Sequence, residues 1–598
     1  MEHFLRHRFA RRESVNDYVG VLVPLEEAHL HSHSARCGKA EFERDVDVRP
    51  DSDSEEGGEA ELGSAYKHGH EHGHADHHEG TGMLQMDAAE YTIEGLRRDM
   101  RKGERHGRRW TEYELKSKVI NKAIQDIGMG RYNWQLFILC GFGWFADNLW
   151  MQGVSLTLPS LSKEFNVTEK QVRYTTSSLY VGLSIGSALW GLGADIMGRR
   201  IAFNLTLLIT SIFGTLAAYS PNWPTVCFLF GLMGTGVGGN LPVDGALFLE
   251  FLPDASSSLL TLLSVWWPVG QLVSSLFAWY FIAGWPVERG WRLFVATVGL
   301  VTLLMFLIRF GIFHLFESPK YLLSQGRQAE AVAVVHGIAH RNGKKTWLTE
   351  DILDAVVDSE DTEHAPTHFS ATSVLKQNLS SFSLSHLQPL FANRRLGLTT
   401  ALIWFCWATI GMGYPLFNAF LPQYLSHDDN EATKSTTTAT ITTPAETYRN
   451  YAIISIVGVP GSLLAAYLVD HPSRWLGRRG TLAISTLVSA TFLYLFVALG
   501  RDPAARLGFT SVEAFCQNIM YGVLYAFTPE IFPAPVRGAA TGVASLLNRL
   551  AGLVAPILAA NFPGDGTTAP VYLSAALILA AFVGMVLIPI ETRGRQRL

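Results

Sequence analysis

Two aspartates stand inside long apolar runs of this sequence, where an ionisable side chain is costly to place. Asp147 lies in the middle of GWFADNLW, and Asp244 lies six residues before Glu250 in GNLPVDGALFLEFLP. A carboxyl in apolar surroundings is held neutral by desolvation and can release its proton when the site opens to water. We therefore predict Asp147 and Asp244 as proton-coupling residues. The alternative for each is a permanent bond to polar groups of neighbouring helices.

Arg549 also lies near the middle of an apolar run, beside Asn548. A buried guanidinium needs a partner and can bind a carboxylate or phosphate group of a ligand. Asp147 and Asp244 are its candidate partners within the chain, and a plain ion pair between helices is the alternative. Arg309, near the end of another run, is expected to extend its side chain to the membrane surface.

Aromatic and amide side chains in other apolar runs have the chemistry of a site for a small polar ligand. Aromatic faces stack on rings or sugars, and amides both donate and accept hydrogen bonds. Many such residues serve only packing, and that alternative stays open for each. The predicted cavity residues are Trp266, Trp267, Gln271, Tyr414, Asn418, Gln517, Asn518 and Arg549.

A histidine-rich tract, HGHEHGHADHH, lies outside these runs at residues 68–78. Its imidazoles can bind zinc, copper or nickel weakly. The apolar runs offer no pair of histidines to receive a metal, so low-complexity drift is the alternative. No cofactor is expected, and the weak metal candidates are His68, His70, His72 and His74.

The elements that position the candidate residues are apolar helices. Of the 598 residues, 48% are hydrophobic and 17% are charged, and the mean hydropathy is +0.16. Soluble chains carry about 25% charged residues, and a helix that crosses a bilayer needs about 20 apolar residues. Twelve such runs are present, at 134–158, 175–193, 201–219, 226–251, 259–282, 291–313, 396–421, 451–469, 482–499, 512–532, 536–560 and 571–590.

The runs form two sets of six, which predicts an all-α membrane protein of two pseudo-symmetric bundles. A largely disordered polar tail is expected before them, with a juxtamembrane helix that starts at the capping box Thr111–Glu114. That helix either lies in the membrane interface or simply connects. The expected parts are the tail 1–131 with its helix at about 111–127, the bundles 132–316 and 394–592, the central loop 317–393, the polar insert 426–450 and the end 593–598.

Basic residues in the short loops predict the orientation in the membrane. The loop with Arg199 and Arg200 and the loop with Arg478 and Arg479 are basic, whereas SPNWP and NFPGDGTTAP contain no Lys or Arg. Both termini and the central loop are therefore expected to face the cytosol. The sequence leaves open whether the membrane is the plasma membrane or that of an internal compartment.

A short charged loop, GLGADIMGRR at 191–200, is echoed by VDHPSRWLGRRG at 469–480. The glycines let helices approach, and the acid can accept hydrogen bonds from the arginines. Such clusters predict a cytoplasmic latch between two bundles, and simple topology anchors are the alternative. The predicted gating residues are Gly191, Asp195, Gly198, Arg199, Arg200, Glu250, Asp470, Arg478, Arg479, Glu530 and Arg537.

The two loops resemble the repeated signature of the major facilitator superfamily. GTGVGG (234–239), ESPKYLLSQGR (317–327), TPEIFPAPVRG (528–538) and ETRGR (591–595) stand where its sugar-porter-like branches carry similar pieces. IGMGRYNWQLFILCGFGWFADNLW (127–150) and GNLPVDGALFLEFLP (239–253) resemble the synaptic vesicle glycoprotein 2-related branch, and fungal general-substrate transporters have similar stretches. Two departures are Phe230, where an arginine is usual, and DASSSLL after EFLP, where an Arg-Gly pair is usual.

The resemblance implies alternating access between two bundles and supports Asp147, because several superfamily symporters use an acid in the first span. The sequence thus predicts a monomeric secondary transporter, not an enzyme, that carries a small polar organic solute such as a sugar, an organic acid or a vitamin-like carboxylate. Protons are the expected coupling ion and the bilayer its surroundings. A net charge of −5 gives no reason to expect nucleic acid. The alternatives are a non-transporting nutrient sensor and a metal-ion carrier that uses the histidine-rich tail.

Overall fold

A computed structural model describes residues 13–31, 91–101, 111–253, 258–357, 390–391, 394–421, 444–469, 471, 477–500, 502–532, 534–561 and 568–590. Within these ranges the chain is helical, and its only β-type pairing is an isolated bridge between Leu22 and Thr346. The chain divides into two compact units. The larger unit comprises residues 134–318 and 369–598, and the smaller unit comprises residues 1–133 and 319–368.

Twelve long helices confirm the twelve predicted runs. They are α1 (Arg131–Phe165), α2 (Tyr174–Met197), α3 (Arg199–Ala217), α4 (Trp223–Phe251), α5 (Trp266–Gly284), α6 (Val287–Leu307), α7 (Arg394–Asn418), α8 (Pro444–Val469), α9 (Arg478–Leu499), α10 (Pro503–Ile531), α11 (Ala534–Asn561) and α12 (Thr568–Leu587). Short helices lie at Glu169–Val172 and Ser258–Leu262, and a π turn at Ile308–Ile312 extends α6. We call α1–α6 the first bundle and α7–α12 the second bundle.

Nine of the helices in the described part of the chain are long and apolar enough to cross a membrane. The other three long helices, α1, α2 and α10, stand at predicted spans. Helix α1 carries Asp147 and Asn148, and α10 carries Gln517 and Asn518. All three helices line the central cavity described below.

Glycine makes the turn at both copies of the repeated loop. Gly198 precedes α3 with a φ of 101°, and Gly477 precedes α9 with a φ of 97°. Residues with a Cβ rarely adopt this region of φ. Arg199 and Arg478 follow as the first residues of their helices. The sequence repeat is therefore also a structural repeat, in which a glycine turn starts a helix with arginine.

The glycines of GTGVGG allow α4 to pack closely against α2. A Cβ on Gly238 would stand 2.3 Å from the Leu183 carbonyl oxygen, and one on Gly234 would stand 2.6 Å from the Leu179 carbonyl oxygen. Phe230, where the family usually has arginine, is fully buried one turn earlier on α4. The close approach brings the carbonyl groups of Leu183 and Gly238 to one edge of the cavity.

The smaller unit contains helices at Ile93–Arg101, Glu112–Ile127, Pro319–Ser324, Gln328–Asn342 and Glu350–Val357. The capping box forms as predicted, since the Glu114 amide donates to the Thr111 hydroxyl and the Thr111 amide donates to the Glu114 carboxylate. The apolar face of this helix packs against the three helices that follow Ser318. The stretch expected to be loop-like is thus partly helical, because tail and central loop bury apolar residues against each other.

Buried polar contacts join the same parts of the smaller unit. The Asp126 carboxylate accepts hydrogen bonds from the Tyr91 hydroxyl at 2.9 Å and from the Trp347 indole at 2.8 Å. Lys116 forms an ion pair with Asp354 at 2.9 Å. These contacts tie residues before α1 to residues after α6 within one unit.

Candidate functional site

A cavity of about 110 Å³ lies between the two bundles. Helices α1, α2, α4 and α5 contribute one side, and α7, α10 and α11 contribute the other. The cavity is lined by Asp147, Asn148, Met151, Tyr180, Leu183, Val237, Leu241, Trp267, Gln271, Gly411, Tyr414, Gln517, Asn518, Tyr521, Tyr525, Asn548 and Arg549. Its lining therefore combines one acid, one base, several amides and five aromatic side chains.

Asp147 reaches the cavity from α1, and its side chain is held by α4. One carboxylate oxygen accepts a hydrogen bond from the Asn240 amide at 2.8 Å. The residue is 4% exposed. Asn240 is itself buried, so the acid is fixed by one neutral donor on the side away from the cavity.

Arg549 reaches the cavity from α11 in the second bundle and is anchored to the first bundle. Its terminal nitrogens donate to the carbonyl oxygens of Leu183 at 3.1 Å and Gly238 at 3.2 Å. These are the carbonyls that the glycine packing of α2 and α4 brings together. Among the described residues, its Nε has no hydrogen-bond partner.

Of the two partners expected for Arg549, Asp244 is wrong, because it pairs with Arg309 instead. Asp147 forms no ion pair with Arg549 but interacts with it electrostatically. The side chains of Asp244 and Arg309 are fully buried, and the Arg309 guanidinium donates to the Asp244 carboxylate at 2.7 Å. Arg309 also donates to the carbonyls of Leu139 and Phe203. It therefore does not extend to the membrane surface, and Asp244 does not line the cavity.

Aromatic rings form one wall of the cavity. Trp267 stacks on Trp144 with ring centroids 4.8 Å apart and 12° between the planes. The edge of Tyr525 meets Trp267 at 5.1 Å, and Tyr521 meets it at 6.2 Å. The indole nitrogen of Trp267 is buried and has no hydrogen-bond partner among the described residues. Rings from both bundles thus make a flat apolar face with an unused donor.

Amide side chains lie beside this wall, and one of them, Gln271, links the two bundles. Gln271 on α5 donates to the Asn148 side chain at 2.9 Å and to the Tyr414 hydroxyl of α7 at 3.3 Å. Asn418 donates to the Gln517 side chain at 3.2 Å. A solute that moves these amides would act on both bundles at once.

Six of the eight predicted cavity residues line the cavity. Trp266 does not, since its ring packs against Phe137 and Phe142 on α1, and Asn418 lies behind Gln517. Sequence reasoning missed Asn148, Tyr180, Tyr521, Tyr525 and Asn548. Tyr521 and Tyr525 follow Gln517 by four and eight residues, so helical spacing alone would have placed them on the same face.

The predicted gating residues form separate clusters at the end of each bundle that carries Arg199 or Arg478, which we call the arginine end. Arg199 pairs with Glu250 at 3.4 Å in the first bundle, and Arg478 pairs with Glu530 in the second. Arg479 donates to the Val586 carbonyl. The side chains of Asp195 and Arg537, and all of Asp470, lie outside the described residues.

Glu317 completes the cluster of the first bundle. Its carboxylate accepts hydrogen bonds from the backbone amides of Arg199 at 2.9 Å and Arg200 at 3.2 Å, at the start of α3. A carboxylate at a helix N-terminus accepts hydrogen bonds from the free amides and interacts favourably with the positive end of the helix dipole. Burial raises the pKa of Glu317 above its ordinary value, and these amides and Arg200 oppose that shift.

The bundles touch at the opposite end, which we call the distal end. Arg173, just before α2, donates to the Ala559 carbonyl of α11 at 2.6 Å and lies 5.2 Å from the centre of the Phe420 ring. Tyr448 at the start of α8 donates to the Leu156 carbonyl of α1 at 3.2 Å. At the arginine end the pairs Arg199–Glu250 and Arg478–Glu530 each lie within one bundle, and the bundles also touch toward this end, where the Ser462 hydroxyl of α8 donates to the Ser264 carbonyl before α5 at 3.4 Å.

No group of three or more His, Cys, Asp or Glu side chains that could hold a metal ion occurs among the described residues. The tract with His68, His70, His72 and His74 lies outside them. The central cavity is the candidate site in the described part of the chain.

Residues 136–556 match the family described as Major Facilitator Superfamily. The chain belongs to this superfamily. It is 41% identical over 534 residues to MFS siderochrome iron transporter 1 of Ceriporiopsis subvermispora (strain B), covering 86% of this chain and 99% of the relative. It is 27% identical over 487 residues to the synaptic vesicle 2-related protein of Bos taurus, covering 80% and 82%. The proton:xylose symporter XylE has a similar fold, with a TM-score of 0.56, 17% identity, and coverage of 78% of this chain and 98% of that one.

The family membership confirms the predicted resemblance to fungal transporters and to the synaptic vesicle glycoprotein 2-related branch. The cavity therefore lies between the two bundles of a transporter fold. This integral, multi-pass membrane protein is therefore a major facilitator superfamily transporter with described apolar helices on both sides of a polar cavity.

Proposed function

We propose that this transporter carries a small organic solute that bears a carboxylate, in symport with protons. The observation that carries the proposal is the separation of Asp147 and Arg549 within one cavity. Both groups line it, and no hydrogen bond or ion pair joins these two described residues, although their charges are close enough to attract each other. A carboxylate on the solute can take the unused donor of Arg549, while Asp147 takes up the proton.

The aromatic wall supports a solute with a ring or another flat apolar part. Trp267 and Tyr525 offer faces for stacking, and the amides of Gln271 and Asn518 offer donors and acceptors nearby. A cavity of about 110 Å³ suits a small molecule rather than a peptide. A sugar would use the amides and rings but would leave the guanidinium without a charged partner.

The two ends of the larger unit support alternating access. The bundles are in contact at the distal end, where Arg173 donates to the Ala559 carbonyl. The two described pairs Arg199–Glu250 and Arg478–Glu530 each join helices of a single bundle. We place the arginine end in the cytosol, because basic loops remain on that side. Rocking of the bundles would then exchange the contacts at the two ends and move the cavity from one side to the other.

The test is uptake of a labelled panel into proteoliposomes, with and without an inward proton gradient. The panel comprises hexoses, organic acids, nicotinate, phosphate and zinc ions. An organic acid is expected to accumulate only with the gradient. Asp147→Asn is expected to abolish this accumulation and to leave exchange of the same solute across the membrane, because the cavity keeps its shape but loses its titratable group.

Asp502→Asn is the matched control, since it makes the same chemical change at an exposed residue before α10. It should accumulate the solute like the unchanged protein. Uphill uptake that survives in Asp147→Asn would overturn the coupling role. Gradient-driven uptake of a hexose alone would overturn the carboxylate, and binding of a panel member without any flux would favour the sensor instead.

A further inference from the structure

Helix α10 buries a carboxyl group that the cavity does not use. Glu513 is 1% exposed and lies one turn before Gln517 on the same helix face. The predicted run began at residue 512, which placed Glu513 at a membrane surface. In the structure α10 begins at Pro503, after Asp502. Glu513 therefore stands about 15 Å along the helix from its distal start.

Among the described residues, no cation lies beside Glu513. The hydrogen bond that the described residues give it comes from the Ser489 hydroxyl of α9 at 3.4 Å. The titratable groups that interact with it are the hydroxyls of Tyr414 on α7 and Tyr521 on α10 and the Cys516 thiol, which are all neutral when protonated. Helices α8 and α11 and the segment before α5 also pack against α10, and none of their described residues places a charged group against this carboxyl.

An ionised carboxylate without a cation is strongly disfavoured at such a position. Burial of Glu513 therefore favours its protonated form. The residue lies between the cavity and the distal end, where the bundles are in contact. When these contacts open, water can reach the carboxyl. Hydration then stabilises the ionised form.

We propose that Glu513 is a second proton-binding residue of the transport cycle, and that the distal end closes only when Glu513 is protonated. This inference rests on the proposed function for its role in coupling. Asp147 would then bind a proton in the cavity, and the protonation of Glu513 would depend on the proton concentration on the distal side. The Gln517 side chain, whose nitrogen has no partner among the described residues, stands between the two sites.

The experiment is an infrared titration of the purified protein in lipid, combined with hydrogen exchange of the distal end. A protonated carboxyl has a C=O stretching band that a carboxylate lacks. We expect Glu513→Gln to lose one such band. We also expect alkaline buffer to increase the exchange of residues 168–176 and 555–561 in the unchanged protein, after correction for intrinsic rates, and to have no such effect in Glu513→Gln.

Glu169→Gln provides the matched control, because Glu169 is exposed near the distal end. It should keep both the band and the pH response. Glu513→Asp retains a carboxyl and should keep the pH response, which protects the test against a Gln variant that fails to fold. An unchanged band in Glu513→Gln, or a lost band with an unchanged pH response, would overturn the proposal.

These readouts need no transported solute. If no panel solute responds to the proton gradient while the band and the pH response behave as expected, the proposed symport fails and the protonation of Glu513 stands. If gradient-driven uptake is observed and remains equally pH-dependent in Glu513→Gln, the symport stands and the role of Glu513 fails.

Discussion

In the first bundle the buried carboxylate of Asp244 meets the guanidinium of Arg309, whereas in the second bundle the buried carboxyl of Glu513 accepts a hydrogen bond from the Ser489 hydroxyl and meets no cation among the described residues. A charge that keeps its partner can remain buried through every conformation. A carboxyl without a cation has to gain or lose a proton whenever its exposure to water changes. The comparison assigns Asp244 of the first bundle to holding helices together, whereas Glu513 of the second bundle, like Asp147 of the first, has a neutral hydrogen-bond donor and is proposed to exchange a proton.

Breaking the paired acid should have the largest effect. Arg309→Met would leave the fully buried Asp244 carboxylate without its cation, which costs about 3–5 kcal/mol when one partner of a buried pair is removed. The double variant Asp244→Leu/Arg309→Met should recover most of this loss, because no charge stays buried. The measurement is unfolding by heat or denaturant in detergent. Equal stability of Arg309→Met and the unchanged protein would contradict the structural role.

Much of this fold and part of this site could be predicted from the sequence. The twelve helices, the repeated glycine turn and six cavity residues follow from local signals, namely apolar length, glycine before arginine, and polar side chains within apolar runs. Those signals depend on neighbours in the chain. Helix α10 is longer than its apolar run, because it begins at Pro503 after Asp502. Glu513, which stands at the start of the predicted run 512–532, therefore lies well inside the helix.

The partners of the buried charges could not be predicted in the same way. Arg309 and Asp244 lie 65 residues apart, and the carbonyls that hold Arg549 belong to helices whose approach depends on glycine packing. Apolar runs reveal that an ionisable group is buried but not which helix faces it. Tertiary packing decides that, and it also decides that Glu317 reaches the start of α3.

The two ion pairs of the arginine end allow the bundles to be compared through substitutions with smaller effects on stability. The side chains of Arg478 and Glu530 are 10% and 9% exposed, whereas those of Arg199 and Glu250 are 20% and 14% exposed and lie 3.4 Å apart. Water weakens the more exposed pair. We expect Glu530→Gln to lower the unfolding free energy by about 2 kcal/mol and Glu250→Gln by less than about 1 kcal/mol. Unfolding midpoints in the opposite order would show that burial does not rank these pairs.

A shift between conformations rather than a loss of folding stability is expected where the two bundles meet at the distal end. Arg173→Gln removes a charged donor to the Ala559 carbonyl and the contact with the Phe420 ring. Because these groups stabilise only the closed distal end, the loss shifts the balance between closed and open forms rather than unfolding the protein. A loss of about 1–2 kcal/mol corresponds to roughly a 5–30-fold shift.

Hydrogen exchange at residues 555–561 measures that shift, and Lys170→Gln is the matched control at an exposed residue of the same segment. Arg173→Lys sharpens the test, since it keeps the charge but loses the planar guanidinium that can donate and stack together. It should fall between Arg173→Gln and the unchanged protein. If Arg173→Gln instead exchanges like the control while Glu513→Gln abolishes the pH response, closure of the distal end depends on the proton at Glu513 and not on the arginine contact.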